Sequence, residues 1–136
     1  MAGRFSLDDW VTISLDSIAA AKSLHADGHY RSCVSRSYFG AYAAVASALE
    51  GVIQYPDGRE GPGHAALPSL IKSNLTGVSS GARQSIKQDI GLLYKARLEA
   101  DYSPSASCDE EMARIALRAA CAVQRELGLP KWTRKT

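Results

Sequence analysis

The sequence predicts an all-α fold: an antiparallel four-to-five-helix bundle, run up and down, with one short extra helix. Three observations predict it. Apolar residues recur at spacings of three and four almost everywhere. No stretch alternates with period two, and no hairpin signal occurs. The connections between most helical stretches are short, which favours antiparallel neighbours.

The first helix carries Leu7, Trp10, Val11, Ser14, Ile18, Ala21 and His25 on one stripe. Ser6 is its expected N-cap, with Asp8 and Asp9 at the positive end of the helix dipole. Gly28 stops it near residue 27. The second helix has a stripe of Tyr30, Val34, Tyr38, Ala41, Val45, Leu49 and Val52, widened by Phe39, Tyr42 and Ala46. Its other side holds Ser32, Arg36, Gly40, Ala43 and Ser47, mostly small, so this helix packs on two sides and is central. Gly51 ends it.

Residues 54–64, rich in glycine and proline, form the longest connection and the place to look for function. A short helix spans Ala65 to Asn74, with Pro68 in its first turn, where a missing N–H is tolerated. Ser79 and Ser80 open the next helix, whose stripe is Ile86, Ile90, Leu93 and Arg97 with Tyr94 and Leu98 beside it. After a turn at 103–107, a last helix from Cys108 to Leu127 turns Met112, Ile115, Ala116, Ala119, Val123 and Leu127 inward.

The 136 residues and 14.6 kDa fit one domain, with a core over about 7–128 and a basic tail over 129–136. No window of about 20 apolar residues exists to span a bilayer. The N-terminus meets Asp8 and Asp9 without a hydrophobic stretch, so no secretory leader is expected. A cytoplasmic protein without a membrane partner follows. A net charge of +2 is too small to imply nucleic-acid binding by itself. Cys33, Cys108 and Cys121 form no CxxC pair and read as reduced thiols, Cys33 and Cys121 as core packing. Acidic neighbours raise Cys108 rather than activate it.

Arg97 is the most informative residue, because it occupies a core-facing position where an apolar side chain is expected. Asp101 follows on the same face at ion-pair spacing, and Tyr102 comes next. Two readings stay open: a local ion pair that ties down the helix end, or a planar fork in a cleft that binds phosphate. Arg36 reads either as a snorkelling surface residue or as a second cation of a shared site. His64, after the Gly58–Gly63 stretch, has an imidazole suited to acid–base work near pH 7. The same stretch enters a helix and offers a weak anion cradle without the Lys–Ser/Thr pair of a P-loop. His25 and His29 read as solvent-facing or capping residues, and no histidine pair has metal-ligand spacing. The tail sets Trp132 between Lys131 and Arg134, which suits either a single-strand contact or a Trp folded over the bundle.

The run Arg31–Leu49, with Ser35, Arg36, Tyr38, Phe39 and Tyr42, resembles the second helix of small stand-alone HEPN-domain proteins. The Gly63-His64 loop with its short apolar helix looks like the next segment of that family. Leu93, Arg97, Ala100, Asp101 and Tyr102 are similar to its Leu-x-x-x-Arg-x-x-Ala-Asp-Tyr signature. The resemblance implies a helical bundle that forms two-fold dimers. It also implies a metal-independent ribonuclease site built on an Arg-x4–6-His motif, with a nucleotidyltransferase-type antitoxin as a partner in several members. Here Tyr102 stands near the place of that histidine, and no histidine follows residue 64. A tyrosine is a poor general base at neutral pH.

The reading is therefore a homodimeric HEPN-type module that binds a nucleotidyltransferase-like partner, a nucleotide or RNA in a toxin–antitoxin or defence setting. One alternative is a metal-independent endoribonuclease toxin using Arg97 and Tyr102, or Arg36 and His64. The other is a purely structural helical protein. Arg97 and Tyr102 are the candidate catalytic residues and Arg36, His64 and Asp101 the candidate binding residues; no cofactor or metal is expected.

Overall fold

The computed structural model describes residues 9–55 and 60–130. Its helices are α1 (Trp10–Ala26), α2 (Tyr30–Leu49), α3 (Leu67–Asn74, entered through a 3-10 turn at His64–Ala66), α4 (Ser80–Tyr102) and α5 (Glu110–Glu126). No strand occurs among the described residues.

Local chemistry sets the ends. Asp9 caps α1 by accepting from the Thr12 amide at 2.8 Å. The cap expected at Ser6 thus moves to Asp9; Ser6 itself lies outside the described residues. Ser79 caps α4 and Asp109 caps α5 in the same way, through the amides of Ala82 and Met112. Gly28, Gly51 and Gly128 follow their helices with φ of 81°, 77° and 76°, the left-handed conformation that stops a helix. Arg83 donates to the carbonyls of Leu75 and Val78, which closes the turn between α3 and α4.

Neighbouring helices run antiparallel, as their contacts show. Along α1 and α2, Trp10 meets Tyr42, Ser14 meets Gly40 and His25 meets Tyr30. Along α2 and the end of α4, Arg31 meets Ser103, Ser35 meets Asp101 and Phe39 meets Arg97. Helix α2 packs against α1, α4 and α5, and twelve of its twenty residues are buried, so it is the central helix. The α1–α2 approach is close because residue 40 lacks a side chain. A Cβ there would lie 2.5 Å from Ile18 Cδ1. The Ser14 hydroxyl donates to the Gly40 carbonyl at 2.6 Å across the same contact. Gln124 of α5 completes this buried polar knot by donating to Ser14 Oγ at 2.9 Å.

Helix α5 departs from the expected inward set. Met112, Ile115 and Leu127 are only half-buried, whereas Ala113, Ala116, Ala119, Ala120, Val123 and Gln124 are buried. Small side chains let α5 lie close to the alanine-rich α2, so the closest approach falls on alanine rather than on the larger residues. Val52 lies beyond the end of α2 and is exposed rather than part of its stripe. Cys121 is half-buried, not a core residue, while Cys33 is fully buried. Burial raises both Cys33 and Cys108, and for Cys108 burial outweighs its acidic neighbour Asp109. No described helix is long and apolar enough to cross a membrane.

Candidate functional site

One side of the bundle, where α2, α4 and the segment entering α3 meet, collects aromatic rings and cations. Tyr38 and Phe39 project from one turn of α2 and Tyr42 from the next. Tyr94 and Arg97 project from the flank of α4 that faces them, one turn apart. Pairing i with i+3 or i+4 places such residues on one helix face.

Arg97 is half-buried and engaged on several sides. Its Nε donates to Asp101 Oδ2 at 3.0 Å, with side-chain exposures of 17% and 27%. Ser35 of α2 donates to the same carboxylate oxygen at 3.2 Å. The guanidinium carbon lies 5.2 Å from the centre of Phe39, 5.8 Å from Tyr102 and 5.9 Å from Tyr38. Contacts of this kind stabilise by about 0.5–1 kcal/mol each where partly exposed. Asp101 holds the Nε edge, which leaves the two terminal nitrogens to meet an anion with the flat fork geometry that suits phosphate.

Arg36 lies on the exposed side of α2, with its guanidinium carbon 5.1 Å from the centre of Phe39. Its guanidinium therefore lies over an aromatic ring that Arg97 also uses. Tyr102, at the end of α4, is 70% exposed and presents an open ring beside Arg97.

His64 belongs to the same cluster although it is far away in sequence. Its Nδ1 is 2.5 Å from the Tyr38 hydroxyl. Its ring stacks on Tyr94 at an interplanar angle of 9° and lies 5.0 Å from Tyr42 and 6.3 Å from Phe39, centre to centre. Two further bonds hold the incoming segment: Trp10 Nε1 donates to the Glu60 carbonyl and the Tyr42 hydroxyl to the Pro62 carbonyl. Burial, then the charge of Arg97, lowers the His64 pKa below its usual 6.5, so the ring is neutral at pH 7. Burial pushes Tyr38 well above the ordinary phenol range. Tyr38 therefore keeps its proton and donates it, His64 accepts at Nδ1, and the histidine hydrogen sits on Nε2.

Of the five residues singled out in the sequence, Arg36, His64 and Arg97 meet the rings of Tyr38 or Phe39, and Asp101 and Tyr102 join them through Arg97. The weak anion cradle before α3 falls in part on residues outside those described. Residues 56–59 lie outside the described residues, and His64 turns toward the rings. His25, expected at the surface or at a cap, is part-exposed and lies 2.8 Å from Glu110 Oε2. The tail carrying Trp132 lies outside the described residues. Among the described residues no group of three metal-ligating side chains is gathered.

Three participants escape a sequence reading. Ser35 belongs to the α2 motif and Tyr94 flanks the α4 stripe, but the sequence assigns neither a role. Arg31 has no signal at all: it donates to the carbonyls of Glu99, Ala100, Ser103, Pro104 and Ala106 and so fixes the chain around Tyr102. Its partners are main chain, which leaves no mark in a sequence.

The family model for the HEPN domain matches residues 7–128, most of the chain. The chain belongs to the HEPN-domain family. HEPN domains are helical bundles, generally RNA-related or found in toxin and defence systems, and they often dimerise. No curated protein and no solved structure matches the chain. In this HEPN chain Arg97 and Asp101 lie on α4, and His64 lies in the 3-10 turn before α3.

Proposed function

We propose that this HEPN chain is a single-domain module, homodimeric in solution, that binds single-stranded RNA or a nucleotide through Arg97 and Arg36, within a toxin–antitoxin or defence setting that includes a nucleotidyltransferase-like partner. The observation that carries this reading is the convergence of two guanidinium groups on Phe39 beside the exposed ring of Tyr102. Cations placed beside an open aromatic ring match the two demands of an unpaired nucleotide, a phosphate to neutralise and a base to stack. Asp101 and Ser35 hold Arg97 in place, so little side-chain freedom is lost on binding.

Fluorescence anisotropy with a labelled single-stranded RNA of about 12 nucleotides tests the reading. Wild type binds. Arg97→Ala and Arg36→Ala each weaken binding about tenfold or more while the helical circular dichroism is kept. Equal affinity in all three proteins overturns the reading.

A second reading, metal-independent RNA cleavage, is favoured by one observation: His64 lies in the same ring cluster as Arg97. Cleavage that persists in EDTA and is lost in His64→Gln supports it. Binding without cleavage supports the first reading.

A further inference from the structure

The Arg36–Arg97 site contains a third basic group that is uncharged when nothing is bound. The rings that face His64 are Tyr38, Phe39 and Tyr42 from α2 and Tyr94 from α4. The charged group acting on it is Arg97 of α4. Among the described residues no carboxylate pairs with it; Asp101, the acid of the cluster, is bound to Arg97 and Ser35.

We propose that His64 takes up a proton when an anion binds between Arg36 and Arg97, so that the occupied site holds a phosphate with three cations in place of two. This rests on the phosphate-binding reading above and adds the residue that tunes it.

Two causes keep the free imidazole neutral, partial burial and the nearby guanidinium. A bound phosphate offsets the second, because its negative charge cancels the field of Arg97 at the ring. The aromatic faces around His64 then favour the imidazolium, as aromatic cages favour other cations. Protonation also keeps the Tyr38 bond. The new Nδ1–H donates to the Tyr38 oxygen, and the phenol hydrogen rotates away from the ring. Nε2–H remains as a charged donor. The step is a proton uptake from solvent, with no bond broken in the ligand.

Linkage fixes the sign. The complex binds more protons than the free protein between the two His64 pKa values. Affinity therefore rises as pH falls through that window, by up to about tenfold per pH unit at the steepest.

The experiment measures RNA affinity from about pH 5 to about pH 8, the range in which histidine titrates. The RNA lacks a terminal phosphate, because a phosphate monoester itself titrates near pH 6, whereas internal diesters do not. The expected result is tighter binding at the acidic end for wild type, a flat profile for His64→Gln, and an unchanged slope for His25→Gln. A second measurement needs no variant. The His64 Cε1–H resonance is titrated with and without saturating RNA, and its midpoint moves up on binding. The same pH slope in wild type and His64→Gln, or a midpoint unmoved by RNA, overturns the inference and leaves the binding reading standing. Absence of RNA binding at every pH overturns both.

Discussion

The guanidinium carbons of Arg36 and Arg97 lie 5.1 and 5.2 Å from the centre of one ring, Phe39, although the two arginines belong to different helices. Two cations thus share one aromatic ring, and one acid, Asp101, holds Arg97. Removing the ring should loosen both. Phe39→Leu keeps an apolar side chain on α2 but removes the π face. It is expected to weaken RNA binding several-fold with little change in helical content. An unaltered dissociation constant would show that the ring does not organise the pair.

Arg97 also contributes to stability. Arg97→Ala removes the Asp101 ion pair and three ring contacts, with an expected loss of about 1–2 kcal/mol. Asp101→Asn keeps the ring contacts and should cost less, about 0.5–1 kcal/mol. Urea unfolding of both variants checks the order; equal stability of both to wild type would dismiss the ion pair as a stabilising element.

Gly40→Ala is expected to destabilise the bundle by about 1–3 kcal/mol through overpacking. The added methyl group meets Ile18 at 2.5 Å from Cδ1 and 2.7 Å from Cγ1, and Ile18 is fully buried. Ile18→Val in the same chain removes the nearer atom and should recover part of the loss. A thermal midpoint unchanged by Gly40→Ala would show that the α1–α2 seam is loose.

The buried knot of Ser14, Gly40 and Gln124 should behave as a unit. Gln124→Leu removes a donor from Ser14, and Ser14→Ala leaves the Gln124 amide only its longer bond to the Ser14 carbonyl; each costs about 1–3 kcal/mol. The double variant leaves neither group unpaired and should cost less than the sum. Strict additivity in a double-mutant cycle would rule out coupling.

The free protein should lose stability on acidification through His64. The folded-state pKa lies below 6.5, so the unfolded chain takes up the proton first as pH falls. The contribution is full above pH 6.5 and declines below it. His64→Gln should remove this part of the slope between neutral and mildly acidic pH. An identical slope in the variant would show that other groups carry it.

Much of the fold is readable from residue chemistry. Gly28 and Gly51 mark helix ends and Ser79 marks a start, because each serves a local backbone need that its own residue type reveals; the last helix, expected from Cys108, starts instead after its cap Asp109. The central place of α2 follows from its two unlike apolar sides. The buried line of α5 was less legible, since a residue-by-residue hydrophobic scale ranks Met112 and Ile115 above Ala113 and Ala120. What decides there is how closely two backbones approach, a property of both helices together. In the site, Arg97 was visible as a cation out of place on an apolar stripe. The bond between Tyr38 and His64 was not, because it spans 26 residues and depends on how the segment entering α3 is laid down.

Arg31 directs all of its hydrogen bonds at peptide oxygens of residues 99–106. A peptide oxygen is the same whatever amino acid bears it. Substitutions at Ser105 or Ala106 should therefore be absorbed quietly, whereas almost any replacement of Arg31 should be felt at Tyr102. Mutational tolerance along this corner is set by the anchor rather than by the rope it holds.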